Sequence, residues 1–301
     1  MKLKSKILTF MIMGVVFLTA CNKGKQTLTV GIMPDLDSIP FVVAKEQGYL
    51  KENIILEIYK SPVDRDSAFY SGHLNGTISD VLAACIAKEG DFPVFITSKT
   101  NGRYGLVTSQ TSGITSAKMM EGKEVGLSLN TIIEYVTDTV VAAEGGEPSL
   151  VTKVSVPKIP SRLELLENNQ IDAVAMPEPY VTAAATAGHV ILNTSEALGI
   201  NPGVMLFTAE AVETKTAEIK ALYEAYDKAV EYIATHPKET FMPQVIEELG
   251  LPQTAKGVQL PAYEKMVLPE EQEVVRAMEW LKNKELLKNT YTYNDLVVEI
   301  K

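Results

Sequence analysis

The sequence predicts an α/β protein whose two lobes, each a mainly parallel sheet flanked by helices, face each other across a cleft. Three observations lead there. Short β-branched, apolar runs alternate with helical patterns, which is the mark of parallel strands joined by crossover helices. The alternation stops near Thr97 and restarts at Glu124, giving two βα series. After Gly203–Thr208 the pattern becomes helical only. At 301 residues the chain is long enough for two such units.

The first series opens with a strand over Leu28–Met33, broken by Pro34-Asp35. A helix over Phe41–Gln47 stops at Gly48, and a strand over Ile54–Tyr59 ends at Ser61-Pro62. Asp64–Ser71 is helical up to Gly72, Thr77–Ser79 is a short strand, Val81–Lys88 is a helix and Pro93–Thr97 a strand. The second series reads strand Glu124–Ser128, helix Thr131–Glu144 and strand Val151–Val156. It continues as helix Ser161–Glu167, strand Ile171–Met176, helix Glu178–Ala187 and strand Val190–Leu192. Beyond the last strand, Gly203–Thr208, Ile219, Leu222, Tyr226, Ala229, Val230 and Ile233 recur at helical spacing on one face, up to His236-Pro237. Glu270–Leu287 is another such helix, with Val274, Met278 and Leu281 on one side.

Composition narrows the function. With 46% hydrophobic and 22% charged residues the chain is ordinary globular material and not disordered. Lys and Arg number 28 against 38 Asp and Glu, a net charge of −10. Without clustered cations there is nothing to neutralise backbone phosphates, so nucleic acid is not an expected partner. His73, His189 and His236 are scattered without ligand spacing, and no metal is expected. No GxSxG, Walker-type loop or GxGxxG occurs, so no catalytic residues and no cofactor are expected.

The first 20 residues read as a signal peptide. Lys2, Lys4 and Lys6 precede the uncharged run Ile7–Leu18, which spans only about 18 Å as a helix, against a bilayer core of about 30 Å. The run ends in Leu18-Thr19-Ala20-Cys21, which resembles a bacterial lipobox with Cys21 as the lipidated residue. Residues 21–27 would then form a short leash that anchors the chain at the outer face of the cell membrane or in the periplasm. Cys85 remains as the second of two Cys, in an apolar helical stretch, and reads as a small buried hydrophobe.

Several segments carry a family resemblance. Gly31-Ile32-Met33-Pro34 followed by Pro40-Phe41-Val42-Val43-Ala44-Lys45-Glu46-Gln47-Gly48-Tyr49-Leu50 is similar to an opening strand and "P…A…GYF" helix. Ala68 to Gly76 is similar to an "AL-x-SG-x-(I/L)DG" turn, with Asn75 where Asp is usual. Ile171-Asp172-Ala173-Val174 with Pro177-Glu178-Pro179-Tyr180 is similar to an "(I/V)DA…EP" element, and Tyr232–Pro237 and Trp280-Leu281 match two later helices. In this order, over roughly 270 residues, the chain resembles the type II periplasmic (solute-)binding proteins of ABC importers, in the nitrate/sulfonate/taurine and thiamine-precursor branch. The resemblance implies a first lobe from residues 28–101 and 205–301, a second from 102–204, closure on a small-molecule solute, and docking on membrane permease subunits by a monomer.

In open α/β lobes the ligand lies beyond the carboxyl ends of the strands, where helix N-termini favour polar or anionic groups. The candidates follow from that rule. Asp37 and Ser38 lie after the first strand, as ligand contacts or as caps ahead of Pro40. Asp80 ends a short strand facing the cleft. Asn101, Arg103 and Tyr104 lie at the crossing between lobes. Asn130 and Thr131 precede the second lobe's first helix, where Thr131 and Glu134 fit a capping box, and Tyr135 either walls the cleft or packs inward. Glu178 matches the family's "EP" glutamate, and Arg65 is a weaker candidate. Carboxylates beside aromatics suit a thiamine-precursor-like nitrogen heterocycle slightly better than sulfonate or nitrate. The rival expectations are an enzyme on the same fold, of the kind used in menaquinone or thiamine-pyrimidine biosynthesis, and a signalling or adhesion lipoprotein.

Overall fold

A computed structural model describes residues 26–301. The expected signal peptide and Cys21 lie outside the described residues. The first lobe begins with β1 (Leu28–Ile32), α1 (Ile39–Glu46), β2 (Ile54–Ile58), α2 (Pro62–Tyr70), β3 (Gly76–Asp80), α3 (Val81–Glu89) and β4 (Val94–Lys99). The second contains β5 (Tyr104–Thr108), β6 (Glu124–Leu127), α4 (Ile132–Ala143), β7 (Thr152–Ser155), α5 (Ile159–Glu167), β8 (Ala173–Pro177), α6 (Tyr180–Thr186) and β9 (Val190–Thr194). The chain then returns through β10 (Gly203–Thr208) to α7 (Ala209–Thr214), α8 (Thr216–Thr235), α9 (Met242–Leu249), α10 (Glu271–Asn283) and α11 (Tyr293–Leu296).

The two five-stranded sheets share one plan, β2-β1-β3-β10-β4 and β7-β6-β8-β5-β9. In each, β1 or β6 pairs in parallel with both neighbours, and one strand runs against the other four. The reversed strands are β5 and β10, the two that enter from the opposite lobe. A strand arriving from across the cleft starts where its neighbours end, so it must run antiparallel to them. Accordingly Tyr104, at the start of β5, sits opposite Pro177, and Gly203, at the start of β10, sits opposite Asp80. The two crossings run side by side, with the Thr100 amide donating to the Gly203 carbonyl at 3.0 Å and the Tyr104 amide to Ser195 Oγ at 3.1 Å.

β5 is the strand the pattern did not predict. All five of its residues are buried, so it lacks alternation, and Gly105 and the adjoining crossing make it read as a linker. Gly105 packs against Val181, where an added Cβ would lie 3.1 Å from the Val181 methyls. The helical tail behaves as its periodicity predicts. Ile219, Leu222, Tyr226, Ala229 and Val230 are buried, and α8 packs on α1 with the Phe41 and Tyr226 rings 4.8 Å apart. Cys85 is buried in α3, and burial pushes its thiol up to about 12. Among the described residues no helix is long and apolar enough to cross a membrane.

Candidate functional site

Local sequence aims three carboxylates at one point. β1 is followed by Met33-Pro34-Asp35, and the Asp35 side chain accepts from the Ser38 amide and hydroxyl, both at 3.1 Å. Ser38 Oγ in turn accepts from the Met33 amide at 3.0 Å. This turn points Asp37 inward, where Tyr104 Oη donates to its Oδ2 at 3.1 Å. Gly102 makes that approach possible, since a Cβ there would fall 2.3 Å from Asp37 Oδ2 and 2.6 Å from Tyr104 Oη. β3 runs directly into α3, so its last residue, Asp80, caps that helix by accepting from the Ala83 amide at 2.8 Å.

These groups line an enclosed cavity between the lobes. The first lobe contributes Asp35, Asp37, Arg65, Ser79 and Asp80, and the second Ile132, Ile133, Ile159 and Arg162, with Tyr104 at the crossing. About 30 Å³ is open to the centre of a water molecule, where one water needs about 10–15 Å³. Asp80 Oδ2 lies 3.5 Å from the Ile132 amide, spanning the cleft. Two buried atoms on this lining lack a hydrogen-bond partner, Asp37 Oδ1 and Ser79 Oγ. Leaving such atoms unpaired costs about 1–3 kcal/mol each, so a water or a polar group of a solute in the cavity would complete them.

Burial governs the electrostatics. It pushes Asp37 up to about 6, against the Thr100 and Tyr104 hydroxyls and the Asn101 and Gly102 amides beside it. Burial and the Asp37 charge raise Asp35 well above the usual carboxylate range. Asp80 is raised by burial and held back by Arg65 and the Ala83 amide. Both arginines are already engaged. Arg65 gives Nε and Nη2 to Asp66 Oδ1 at 2.9 and 2.7 Å. Arg162, fully buried, donates to the Val156, Ala175 and Pro157 carbonyls and to Ser128 Oγ, and burial alone lowers it to about 9. The lining is therefore acidic on the first lobe's side, with acceptors left over and few free donors. Among the described residues no three His, Cys, Asp or Glu side chains form a metal-ligand group.

Of the residues picked from sequence, the structure brings Asp37, Asp80, Tyr104 and Arg65 to this cavity. Asn101 and Arg103 line a separate, open hollow of about 360 Å³ at the crossings, where Arg103 pairs with Glu196 at 2.6 Å and Asn101 Nδ2 donates to Tyr226 Oη at 3.2 Å. Five others lie outside the cavity lining, each for a local reason. Ser38 is used up in the Asp35 turn. Asn130 is exposed with φ of 58°, and Thr131 Oγ1 accepts from the Ile133 amide at 3.3 Å as the cap of α4. Tyr135 packs edge-on to Trp280, ring centroids 5.8 Å apart. Glu178 accepts from the Thr182 amide at 2.9 Å and hydroxyl at 3.0 Å. The expected Thr131–Glu134 capping box does not form: Glu134 accepts from the Asn130 amide at 2.6 Å and binds Lys153 and Lys284. Sequence reasoning missed Asp35, Ser79 and Arg162. Asp35 was legible in the Pro34-Asp35 break that ends the first predicted strand.

Comparison with known proteins adds the relationship. The chain matches the family model described as NMT1/THI5 like over residues 35–240. No curated protein sequence matches it. Among solved structures it is similar to the alkanesulfonate-binding protein SsuA from Xanthomonas axonopodis pv. citri bound to MOPS, at 15% identity and TM-score 0.76, over 91% of this chain and 98% of that one. It is similar to the periplasmic nitrate-binding protein NrtA from Synechocystis PCC 6803, at 14% identity and TM-score 0.71, over 90% of this chain and 84% of that one. It is also similar to the desulfurization enzyme DSZB, at 14% identity and TM-score 0.67, over 91% of this chain and 96% of that one. At these identities the likeness is one of fold, the two-lobed architecture of periplasmic binding proteins.

Proposed function

The chain belongs to the NMT1/THI5-like family, and on that premise we propose that it is the solute-binding component of an ABC import system. It captures a small polar solute by closing two lobes on the Asp35–Asp37–Asp80 cavity and delivers it to permease subunits at the membrane. The observation that carries this reading is the enclosed interlobe cavity with two buried, unpartnered polar atoms on its wall. Binding at micromolar concentration requires about −8 kcal/mol. Enclosure between lobes supplies this by desolvating most of the solute, which a single surface contact cannot do. At about 30 Å³ the closed cavity is too small for an organic solute, so capture includes a parting of the lobes.

The acidic wall favours a solute that donates hydrogen bonds, a thiamine-precursor-like aminated nitrogen heterocycle, over a sulfonate or nitrate. Three carboxylates converge on the site, while on the same lining Arg65 is paired with Asp66 and Arg162 has its donors on the Val156, Pro157 and Ala175 carbonyls and Ser128 Oγ. The function involves no bond chemistry, although the likeness to DSZB means that the fold also serves an enzyme. Lipid attachment at Cys21 would hold the monomer at the outer face of the membrane, and Cys21→Ala is expected to abolish palmitate labelling.

A thermal-shift panel on protein stripped of solute by unfolding and refolding tests the proposal. It covers aminopyrimidines and thiamine analogues, alkanesulfonates, nitrate and amino acids. A ligand at 100 times its dissociation constant adds about 2.7 kcal/mol, or about 5–10 °C. One chemical class giving such a shift supports capture, and a flat panel counts against it.

A further inference from the structure

We infer that Asp80 is the specificity-determining residue that keeps small oxyanions out of the interlobe site, by setting its own carboxylate at the N-terminus of α4. The inference rests on the reading that the solute meets the first lobe as a hydrogen-bond donor. α4 is a twelve-residue helix whose N-terminus faces the cavity through Ile132 and Ile133. Such an end favours anions through its free amides and its dipole. Here both leading amides are spoken for. The Ile133 amide goes to Thr131 Oγ1 at 3.3 Å, and the Ile132 amide faces Asp80 Oδ2 at 3.5 Å.

Asp80 belongs to the other lobe, so this contact exists only across the cleft. Its second oxygen caps α3 through the Ala83 amide at 2.8 Å. One carboxylate thus bridges the N-termini of two helices from two lobes, where a bound oxyanion would otherwise sit. A second observation points to a polar occupant of the space beside it. Asp37 Oδ1 and Ser79 Oγ are buried on the same lining without partners. An entering oxyanion would compete with Asp80 for α4 and would meet the Asp80 carboxylate in a water-poor site, where like charges repel strongly. A neutral or cationic donor satisfies Asp37 and leaves Asp80 where it is.

Calorimetric titration with nitrate and with ethanesulfonate tests this, on refolded, solute-free wild type, Asp80→Asn, Asp80→Ser and Asp37→Asn. Asn and Ser both retain an oxygen able to cap α3, and circular dichroism checks that each variant is folded. The expected result is no saturable binding of either anion by wild type or Asp37→Asn. Asp80→Asn and Asp80→Ser gain binding about tenfold or more above the wild-type limit. Folded Asp80 variants that remain blind to both anions overturn the inference and leave the proposed function intact. An equal gain in Asp37→Asn also overturns it, because simple charge relief would then account for the effect. Wild-type protein that binds either anion refutes the proposed solute class itself.

Discussion

Lys284→Met separates the lobes without touching the cavity. Lys284 directly follows α10, a helix packed on α3 of the first lobe, and its Nζ donates to Glu134 Oε1 in α4 of the second lobe. Glu134 is only 1% exposed and is also held by Lys153 at 2.9 Å and by the Asn130 amide. One turn earlier on α10, Trp280 Nε1 donates to Asp138 Oδ2 at 3.1 Å, again across the lobes. A hydrogen bond between charged groups contributes about 1.5–3 kcal/mol when desolvated. The Lys284 side chain is 29% exposed, and since Lys153 stays behind to neutralise Glu134, about 1 kcal/mol is the working figure. That is roughly a fivefold shift in the closed-to-open ratio. Lys284 Nζ also lies 4.8 Å from the centroid of the Trp280 ring, so the fluorescence of that ring would change even with the lobes in place. Small-angle X-ray scattering reads the lobes themselves. The radius of gyration of the solute-free variant should exceed that of wild type, and Lys282→Met, an exposed neighbour, should leave it unchanged. A radius of gyration in Lys284→Met identical to wild type would refute the latch.

The remaining predictions concern the cavity and its crossing. Asp37 is pushed from 3.8 up to about 6 by burial, so the folded chain holds this proton more tightly than the unfolded one. Its contribution is present in full below about pH 4 and is lost as pH rises through 6, about 3 kcal/mol in all. Urea melts should therefore show Asp37→Asn gaining on wild type by roughly that amount between pH 4 and pH 7, and a constant difference would contradict it. A donor solute needs the ionised carboxylate, so its affinity should fall as pH drops below about 6, whereas an oxyanion would show the opposite trend. Gly102→Ala drives a Cβ into Asp37 Oδ2 and Tyr104 Oη. It should cost about 1–3 kcal/mol of stability by melting and weaken solute binding at least as much. Unchanged binding would mean that the Asp37–Tyr104 contact plays no part in it.

Much of this was legible in the chain because strand ends and helix starts carry local signals. Asp80 is found from the short β-branched strand before it and the apolar helix after it, and Asp37 from Pro34 and Pro40 on either side. What is set by distant contacts was not legible. Tyr135 lies on a helix whose two faces are both apolar, and only Trp280, 145 positions on, decides that it points away from the cavity. Glu134 has the spacing of a capping box, yet Lys153 and Lys284 draw it elsewhere. Arg162, in Ser161-Arg162-Leu163-Glu164, looks like a solvated helix position. It is buried because the carbonyls of Val156, Pro157 and Ala175 gather around it. β5 escaped notice since a strand buried on both faces has no period to read.

The most direct test of capture by closure is a titration of solute-free wild type followed through Trp280 fluorescence, with an aminopyrimidine series beside alkanesulfonates and nitrate. A saturable change with the aminopyrimidines at micromolar concentration, and none with the anions, is the predicted result. A saturable response to the anions alone, or to no solute of any class, would contradict it.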